Sequence, residues 1–138
     1  MGNQLSINFN EFISYIYSQQ REQRDQHWRN QVDFLHYERY DDYFNLEEFS
    51  EAEVTLNNHG FKINNTQNTL NHDISSIEKL EGNFSKVKEI ELKKLREDGF
   101  APDYKSMFGD AEIKLVKEIY KDDIDLYISH FGNNNLLF

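Results

Sequence analysis

The chain has 138 residues, no cysteine and a formal net charge of -10 at pH 7. These features exclude disulfides, thiolate catalysis and cysteine-based zinc sites, and they argue against nucleic acid or an anionic membrane surface as partners, since both attract clustered cations. Hydrophobic residues make up 38% of the chain and aromatic residues 14%, which predicts one folded domain over residues 1–138 with a core built on Phe and Tyr.

The first predicted element is an amphipathic helix from Asn8 to about Gln23. Asn8 and Glu11 have the spacing of a capping box. The apolar residues that follow recur at helical spacing, namely Phe9, Phe12, Ile13, Ile16 and Tyr17. The next region, from His27 to Leu46, is ambiguous between a short helix and a strand. Its second part, 40–46, predicts a strand because aromatic and acidic residues lie there without helical periodicity.

A short helix is predicted to begin at Ser50, with Glu53 three positions later, and to end at Gly60. The Asn-rich stretch 62–73 predicts a loop, because Asn and Thr side chains compete with the backbone of regular elements. A long charged helix is then predicted over 76–97. Gly82 is expected to weaken this helix because Gly has a low helix propensity, and the helix is predicted to end at Asp98 and Gly99.

The last predicted helix runs from Asp110 to about His130 and is closed by Gly132. Its apolar stripe consists of Ile113, Val116, Tyr120, Ile124 and Tyr127. Taken together, the elements predict a mainly α fold with one or two short strands (α+β).

Nucleotide chemistry needs an anion cradle, in which clustered glycines open a strand-to-helix loop that leads to a Lys. The six glycines of this chain are isolated, so the sequence predicts no phosphate-binding loop and no cofactor site of its own. No two histidines have zinc-helix spacing, and no metal site is predicted. No signal peptide and no apolar run of the roughly 20 residues that span a bilayer is present, which predicts a cytoplasmic protein without a membrane partner.

The stretch His27-Trp28-Arg29-Asn30-Gln31 is the best candidate for a binding site. It holds the only Trp, which offers a stacking face, and an Arg, which offers a planar fork for sulfate or carboxylate. The alternative interpretation is structural: Trp28 fills the core and Arg29 pairs with a nearby acid.

In order along the chain, several stretches resemble the carbohydrate-type sulfotransferases downstream of their cofactor-binding half. These stretches are Phe12-Ile13, the run 25–31 with His-Trp-Arg-x-Gln, the run 40–47 that ends at Glu47, the Asn-rich loop 64–71, and the closing helix 113–132 with its Tyr-x-x-Asp-hydrophobic pattern. The resemblance covers residues 9 to 132.

This resemblance implies the C-terminal half of a P-loop-like α/β sulfotransferase fold, and 3′-phosphoadenosine-5′-phosphosulfate (PAPS) as the sulfate donor. It implies His27 as the catalytic base, Trp28, Arg29 and Gln31 at the substrate, and Glu47 bracing the strand behind the cleft. The family's phosphate loop has no counterpart here. The chain is therefore expected to be a transferase fragment or inactive remnant that needs a complementary PAPS-binding chain.

Two other hypotheses stay open at this stage. The chain could be a non-catalytic helical interaction domain that self-associates as a homo-oligomer, since half of a parallel sheet would expose an edge and an apolar face. It could also be an unrelated helical domain.

Overall fold

The computed structural model describes residues 6–63 and 77–138, and within these ranges the fold is mainly helical with one two-stranded parallel sheet. The predicted mainly α class with short strands is confirmed. Along the chain, the elements are α1 (Phe9–Ser18), α2 (Phe49–Asn58), β1 (Glu78–Leu80), α3 (Glu89–Glu97), β2 (Phe100–Pro102), α4 (Asp110–Ile119) and α5 (Lys121–Phe131). Short 3₁₀ turns lie at Arg21–Gln23, Gln31–Phe34 and Lys105–Met107.

The core forms where α1 packs against α4. Ile13, Ile16 and Ile119 are buried at its centre, and larger side chains surround them, namely Phe9, Phe12, Trp28, Leu115, Val116 and Tyr120. Burying such side chains contributes about 1.5–3 kcal/mol each. This contact therefore anchors the N-terminal helix to the C-terminal part of the fold.

The sheet belongs to a β–α–β unit formed by β1, α3 and β2. The strands run parallel, with Glu78 opposite Phe100 and Leu80 opposite Pro102. The unit is tied to the start of α1, because Asn8 forms an antiparallel bridge with Lys88. The Lys88 ammonium also lies 2.8 Å from both carboxylate oxygens of Glu11.

The start of α1 is the predicted capping box. The Glu11 backbone N–H donates to Asn8 Oδ1 at 2.8 Å, and the Asn8 N–H donates to Glu11 Oε2 at 2.9 Å. The helix ends at Ser18, so the predicted extension to Gln23 is wrong. Residues 19–23 have no apolar side chain, and further turns would bury nothing that could stabilise them.

The predicted strand over 40–46 is wrong, since these residues form no regular element. Rings there contact each other along the chain: Tyr40 lies 5.7 Å from Tyr37 and 5.8 Å from Tyr43, both edge to face. The Tyr40 hydroxyl also accepts the N–H of His36 at 3.0 Å. Aromatic contacts and a side-chain hydrogen bond thus take the place of strand pairing.

Helix α2 begins one residue before the predicted cap, Ser50. Its N-cap residue is Glu48, whose backbone N–H donates to Asn45 Oδ1 at 2.8 Å, and no side chain caps the helix itself. The predicted stop is confirmed, because the helix ends at Asn58 and Gly60 has a φ of +88°. The predicted loop that follows lies outside the described residues from position 64 on.

The long helix predicted over 76–97 is wrong in its first half. Residues 78–80 form β1, and Gly82 has a φ of +154°, which no helix adopts. Only α3 remains of this helix, and it does end at Asp98 and Gly99. Residue 76 lies outside the described ranges.

The last predicted helix is two helices, with a break at Tyr120 (φ -108°, ψ 25°). At this point a side chain of the segment that follows residue 27 forms a hydrogen bond with the helix backbone. The side-chain amide of Asn30 donates to the Ile119 carbonyl at 3.0 Å. A buried polar contact from outside the helix explains a break that the helix's own sequence does not announce. Gly132 closes α5 as predicted.

Candidate functional site

A groove lies between the segment 27–31 and the junction of α4 and α5. Three hydrogen bonds join the two parts. The Tyr120 hydroxyl donates to the Trp28 carbonyl at 2.9 Å, Asn30 bonds to the Ile119 carbonyl, and the Val32 N–H donates to Asp123 Oδ1 at 2.9 Å. The walls of the groove are therefore fixed to each other by backbone and buried polar groups.

This α4–α5 groove has a volume of about 480 Å³. Its first wall carries four of the five predicted site residues, His27, Trp28, Arg29 and Gln31. The second wall comes from α4 and α5, and residues 136–138 complete the rim. The groove thus brings together two stretches of the resemblance, the His-Trp-Arg-x-Gln run and the closing helix.

Trp28 both packs on the core and lines the groove. Its ring meets Phe12 edge to face at 5.5 Å, and its indole N–H donates to Gln19 Oε1 at 3.2 Å. Trp28 is thus partly buried against the core, and it also lines the groove. Partial burial of a Trp leaves a rigid apolar surface for a ligand to stack on.

His27 lies at the outer end of the groove, with 74% of its side chain exposed. Its Nδ1 is 2.5 Å from Asp25 Oδ1, which also accepts the His27 backbone N–H at 2.9 Å. The hydrogen bonds from the His27 backbone and ring lower the pKa of Asp25. An aspartate that orients a histidine through Nδ1 presents Nε2 as the base, which is the arrangement that proton abstraction requires.

Arg29 is held by backbone carbonyls, so its predicted pairing with an acid is wrong. Its Nε and Nη2 donate to the Arg24 carbonyl at 3.2 and 2.9 Å, and Nη2 also donates to the Glu22 carbonyl at 3.1 Å. Two of its three nitrogens are therefore occupied by the turn that precedes it. Arg29 lines the groove, and these backbone contacts hold its guanidinium in place.

Glu47 is set apart from the other four predicted residues. It follows an irregular segment, so it braces no strand, and it lies outside the groove lining. Its Oε2 lies 3.4 Å from the hydroxyl of Tyr127, a groove residue. Burial and the Glu47 charge raise the pKa of Tyr127. Glu47 can thus influence the groove only through Tyr127.

Three groove residues of the closing helix had no predicted role at the site. Tyr120 and Tyr127 belong to the predicted apolar stripe, and Asp123 lies between them in the sequence. All three line the groove, and burial raises the pKa of Tyr120. Their spacing of three, four and seven residues puts them on one helical face, which is the signal that could have grouped them.

The arginines near the groove are committed to the fold. Arg21 pairs with Asp33 at 2.6 Å and with Asp122 at 2.5 Å, and these partners raise its pKa. Arg24 is buried, and its Nη1 donates to Asn30 Oδ1 at 2.9 Å. They therefore provide no open cationic surface at the groove.

The donor that the resemblance implies does not fit the described residues. PAPS has two phosphate groups and a sulfate, and it needs several cations or free backbone N–H groups around them. The groove offers the partly engaged guanidinium of Arg29, while the Asp123 carboxylate on the opposite wall repels anions. Within residues 6–63 and 77–138, no group of three His, Asp or Glu residues is arranged to hold a metal ion.

In the described part of the chain, no helix has the length and apolar character required to cross a membrane. No protein-family model matches the chain, and no curated protein and no solved structure shows significant similarity to it.

Proposed function

We propose that this chain is the acceptor-side portion of a sulfotransferase-type protein. One observation carries the proposal. Two stretches of the resemblance, 27–31 and 113–132, are far apart in sequence and lie on facing walls of one groove. A chance similarity of two such stretches would not require them to meet.

In this proposal the groove binds the acceptor. Trp28 supplies a stacking face, Gln31 supplies amide hydrogen-bond groups, and the Arg29 guanidinium borders the bound molecule. His27, oriented by Asp25, is the group that would take the proton of an acceptor hydroxyl. Since the groove also carries Asp123, it favours a neutral hydroxylated acceptor, such as an oligosaccharide, over a polyanionic one.

The described residues leave donor binding to another chain or segment. The groove lacks the cations for PAPS, and the chain on its own is proposed to be inactive in sulfuryl transfer. A complementary PAPS-binding chain is therefore the partner that this function requires.

Fluorescence of Trp28 tests the proposal directly, because it is the only Trp of the chain. A neutral saccharide such as N-acetyllactosamine is expected to change its emission. The variant Gln31→Ala is expected to weaken this response at least about fivefold, the loss of roughly one hydrogen bond. Gln26→Ala is the matched control, since Gln26 is exposed and lies outside the groove lining.

Two results would contradict the proposal. An unchanged Trp28 emission at saturating concentrations across a panel of neutral saccharides would remove the acceptor site. A rise in thermal stability with micromolar adenosine 3′,5′-bisphosphate, the desulfated donor, would show that the isolated chain does bind the cofactor.

We propose as the second candidate a non-catalytic interaction domain that self-associates. The observation in its favour is the exposure of three apolar side chains in or beside α2: Leu46, Val54 and Phe61 are 71%, 61% and 61% exposed. Because each copy has a charge of -10, association is expected to strengthen with salt, which screens the repulsion. Sedimentation velocity at 0.05 and 0.5 M NaCl tests this. Val54→Asp is expected to abolish any dimer. Tyr104→Asp changes an exposed side chain far along the sequence from α2 and is expected to leave the dimer intact.

A further inference from the structure

A second cavity, of about 230 Å³, lies between α5 and the segments 31–35 and 43–44. Four of the aromatic side chains that line it contact one another in sequence. Tyr43 stacks on His130 with ring centroids 3.8 Å apart, His130 lies 6.1 Å from Phe131, and Phe131 lies 5.1 Å from Tyr127. Together with Asp123, these four residues are here named the aromatic cage.

The charge of the cage is negative. Asp123 lines it with a carboxylate whose Oδ1 accepts the Val32 N–H, while its Oδ2 accepts no hydrogen bond from the described residues. None of the residues that line the cavity is a Lys or Arg. A second carboxylate, that of Glu47, lies at the hydroxyl of Tyr127. The cavity thus combines aromatic side chains with negative charge, and no Lys or Arg lines it.

We propose that the aromatic cage binds an alkylated ammonium group. Such a group places its positive charge against ring faces and its methyl groups in apolar contact, and it has less water to lose than a primary ammonium. The Asp123 carboxylate adds a favourable charge, and the net charge of the chain attracts cations to it. A sulfate or phosphate group would be repelled by the Asp123 carboxylate and would find no Lys or Arg among the lining residues.

This proposal does not depend on the acceptor function. The cavities share Gln31, Asp123 and Tyr127, but the other three cage rings, Tyr43, His130 and Phe131, lie outside the lining of the α4–α5 groove. The two proposals have separate reporters: Trp28 emission for the groove, and the ring protons of Tyr43 and His130 for the cage. One can therefore fail while the other holds.

The probe is choline, compared with 3,3-dimethylbutan-1-ol, its neutral carbon isostere. Both have the same shape, so a cation site must distinguish them by charge. Choline is expected to shift the Tyr43 and His130 ring protons in NMR titrations and to bind at least about tenfold more tightly than the alcohol, as expected for a cation in contact with aromatic rings and a carboxylate.

Variants at Tyr43 and Asp123 measure separately how the aromatic ring and the carboxylate charge contribute to choline binding. Tyr43→Phe keeps the ring face and is expected to bind choline within about twofold of the original chain, whereas Tyr43→Leu is expected to lose about tenfold. Asp123→Asn removes the charge but keeps an oxygen for the Val32 N–H, and a loss of about fivefold is expected. Tyr104→Leu, an exposed ring elsewhere, is the matched control.

A trimethyllysine peptide distinguishes the sources of the ammonium group. Tighter binding of the peptide than of choline indicates a methylated protein, and the reverse indicates a small molecule; either result supports the cage. Equal affinities for choline and its neutral isostere would overturn the proposal. Ring protons that do not shift at about 50 mM choline would also overturn it, because this concentration saturates a site of millimolar affinity. If Tyr43→Leu fails to fold, Asp123→Asn still decides the question.

Discussion

The side chain of Asn30 joins the groove segment to the backbone of α4. Asn30 is 1% exposed, its Nδ2 donates to the Ile119 carbonyl at 3.0 Å, and its Oδ1 accepts Arg24 Nη1 at 2.9 Å. One amide thus satisfies a buried carbonyl and a buried cation at the point where the last helix breaks.

Asn30→Ala is expected to destabilise the fold by about 2–3 kcal/mol, because both buried partners lose their hydrogen bond and neither gains water. Urea denaturation followed by circular dichroism measures this loss. Asn134→Ala, at an exposed position, is the control and is expected to change stability by less than about 0.5 kcal/mol. Equal stabilities of the two variants would contradict the anchoring role of Asn30.

Trp28 has a structural role in addition to any ligand it contacts. Trp28→Ala is expected to cost about 3 kcal/mol, since it removes the contact with Phe12 and leaves a cavity beside the core. Trp28→Phe keeps an aromatic ring and loses the hydrogen bond to Gln19, for an expected cost of about 1 kcal/mol. Chemical denaturation of the original chain and of both variants measures their free energies of unfolding.

The control for Trp28 is Tyr104→Ala, which removes an exposed ring and is expected to change stability by at most about 0.5 kcal/mol. If Trp28→Ala were as stable as this control, Trp28 would contribute nothing to the stability of the fold, and its only role would be to contact a ligand. Saccharide binding to Trp28→Ala, measured by calorimetry because this variant has no Trp, would then isolate the stacking contribution.

The ion pair of Arg21 with Asp33 makes stability depend on acid pH. The hydrogen bond from Arg21 lowers the pKa of Asp33 in the folded state. A carboxyl whose folded pKa is lowered stabilises the protein above its unfolded pKa, and this contribution disappears as the pH falls through the folded value. The stability gap between the original chain and Arg21→Gln is therefore expected to close below about pH 4.

A double-mutant cycle with Arg21→Gln and Asp33→Asn measures the pair itself. The coupling free energy is expected to stay below about 1 kcal/mol, because the Arg21 side chain is about a third exposed and solvent screens it. It is expected to fall further in 1 M salt. A coupling that did not weaken at all as the pH fell below the ordinary range of a carboxyl group would show that Asp33 is not the titrating partner.

Local signals in the sequence predicted the elements that depend on local interactions. The capping box of α1 needs only Asn8 and Glu11, which are three residues apart, and both of its hydrogen bonds form. The ends of α2 and α3 likewise coincide with Gly60 and Gly99, whose φ values are +88° and +89°. Such features follow from the conformational preferences of a few neighbouring residues.

The errors concern features that distant residues decide. β1 exists because Glu78 to Leu80 pair with β2, and nothing in three residues rich in charge announces a strand. The break at Tyr120 depends on Asn30, which is 89 positions away from Ile119. Periodicity describes one segment at a time, so tertiary hydrogen bonds of this kind are invisible to it.

The same division applies to the candidate site. His27, Trp28, Arg29 and Gln31 share the groove because one short segment carries them all. The sequence did not separate Glu47 from them, since its expected place required a strand that does not form. Asp123 was missed because its role rests on a contact with Val32, 91 positions away.

Glu112 provides a buried negative charge at the start of α4. It is 2% exposed; its Oε2 accepts the Gly109 N–H at 2.9 Å, and its Oε1 accepts from the Asn10 side chain. Burial raises the pKa of Glu112, but the hydrogen bonds from Asn10 and Gly109 outweigh it and the pKa lies below its ordinary value. The ionised form is thus the stable one in the folded protein.

Glu112→Ala is expected to cost about 2–3 kcal/mol, because it leaves the Gly109 N–H and the Asn10 amide unpaired and removes a favourable charge from the N-terminus of α4. Glu112→Gln keeps one acceptor and is expected to cost less. Asp110→Ala removes an exposed acid from the same helical turn, for an expected cost of at most about 1 kcal/mol. Urea unfolding at pH 7 compares the three variants; equal losses for Glu112→Ala and Asp110→Ala would mean that only the helix charge matters, and not the link to α1.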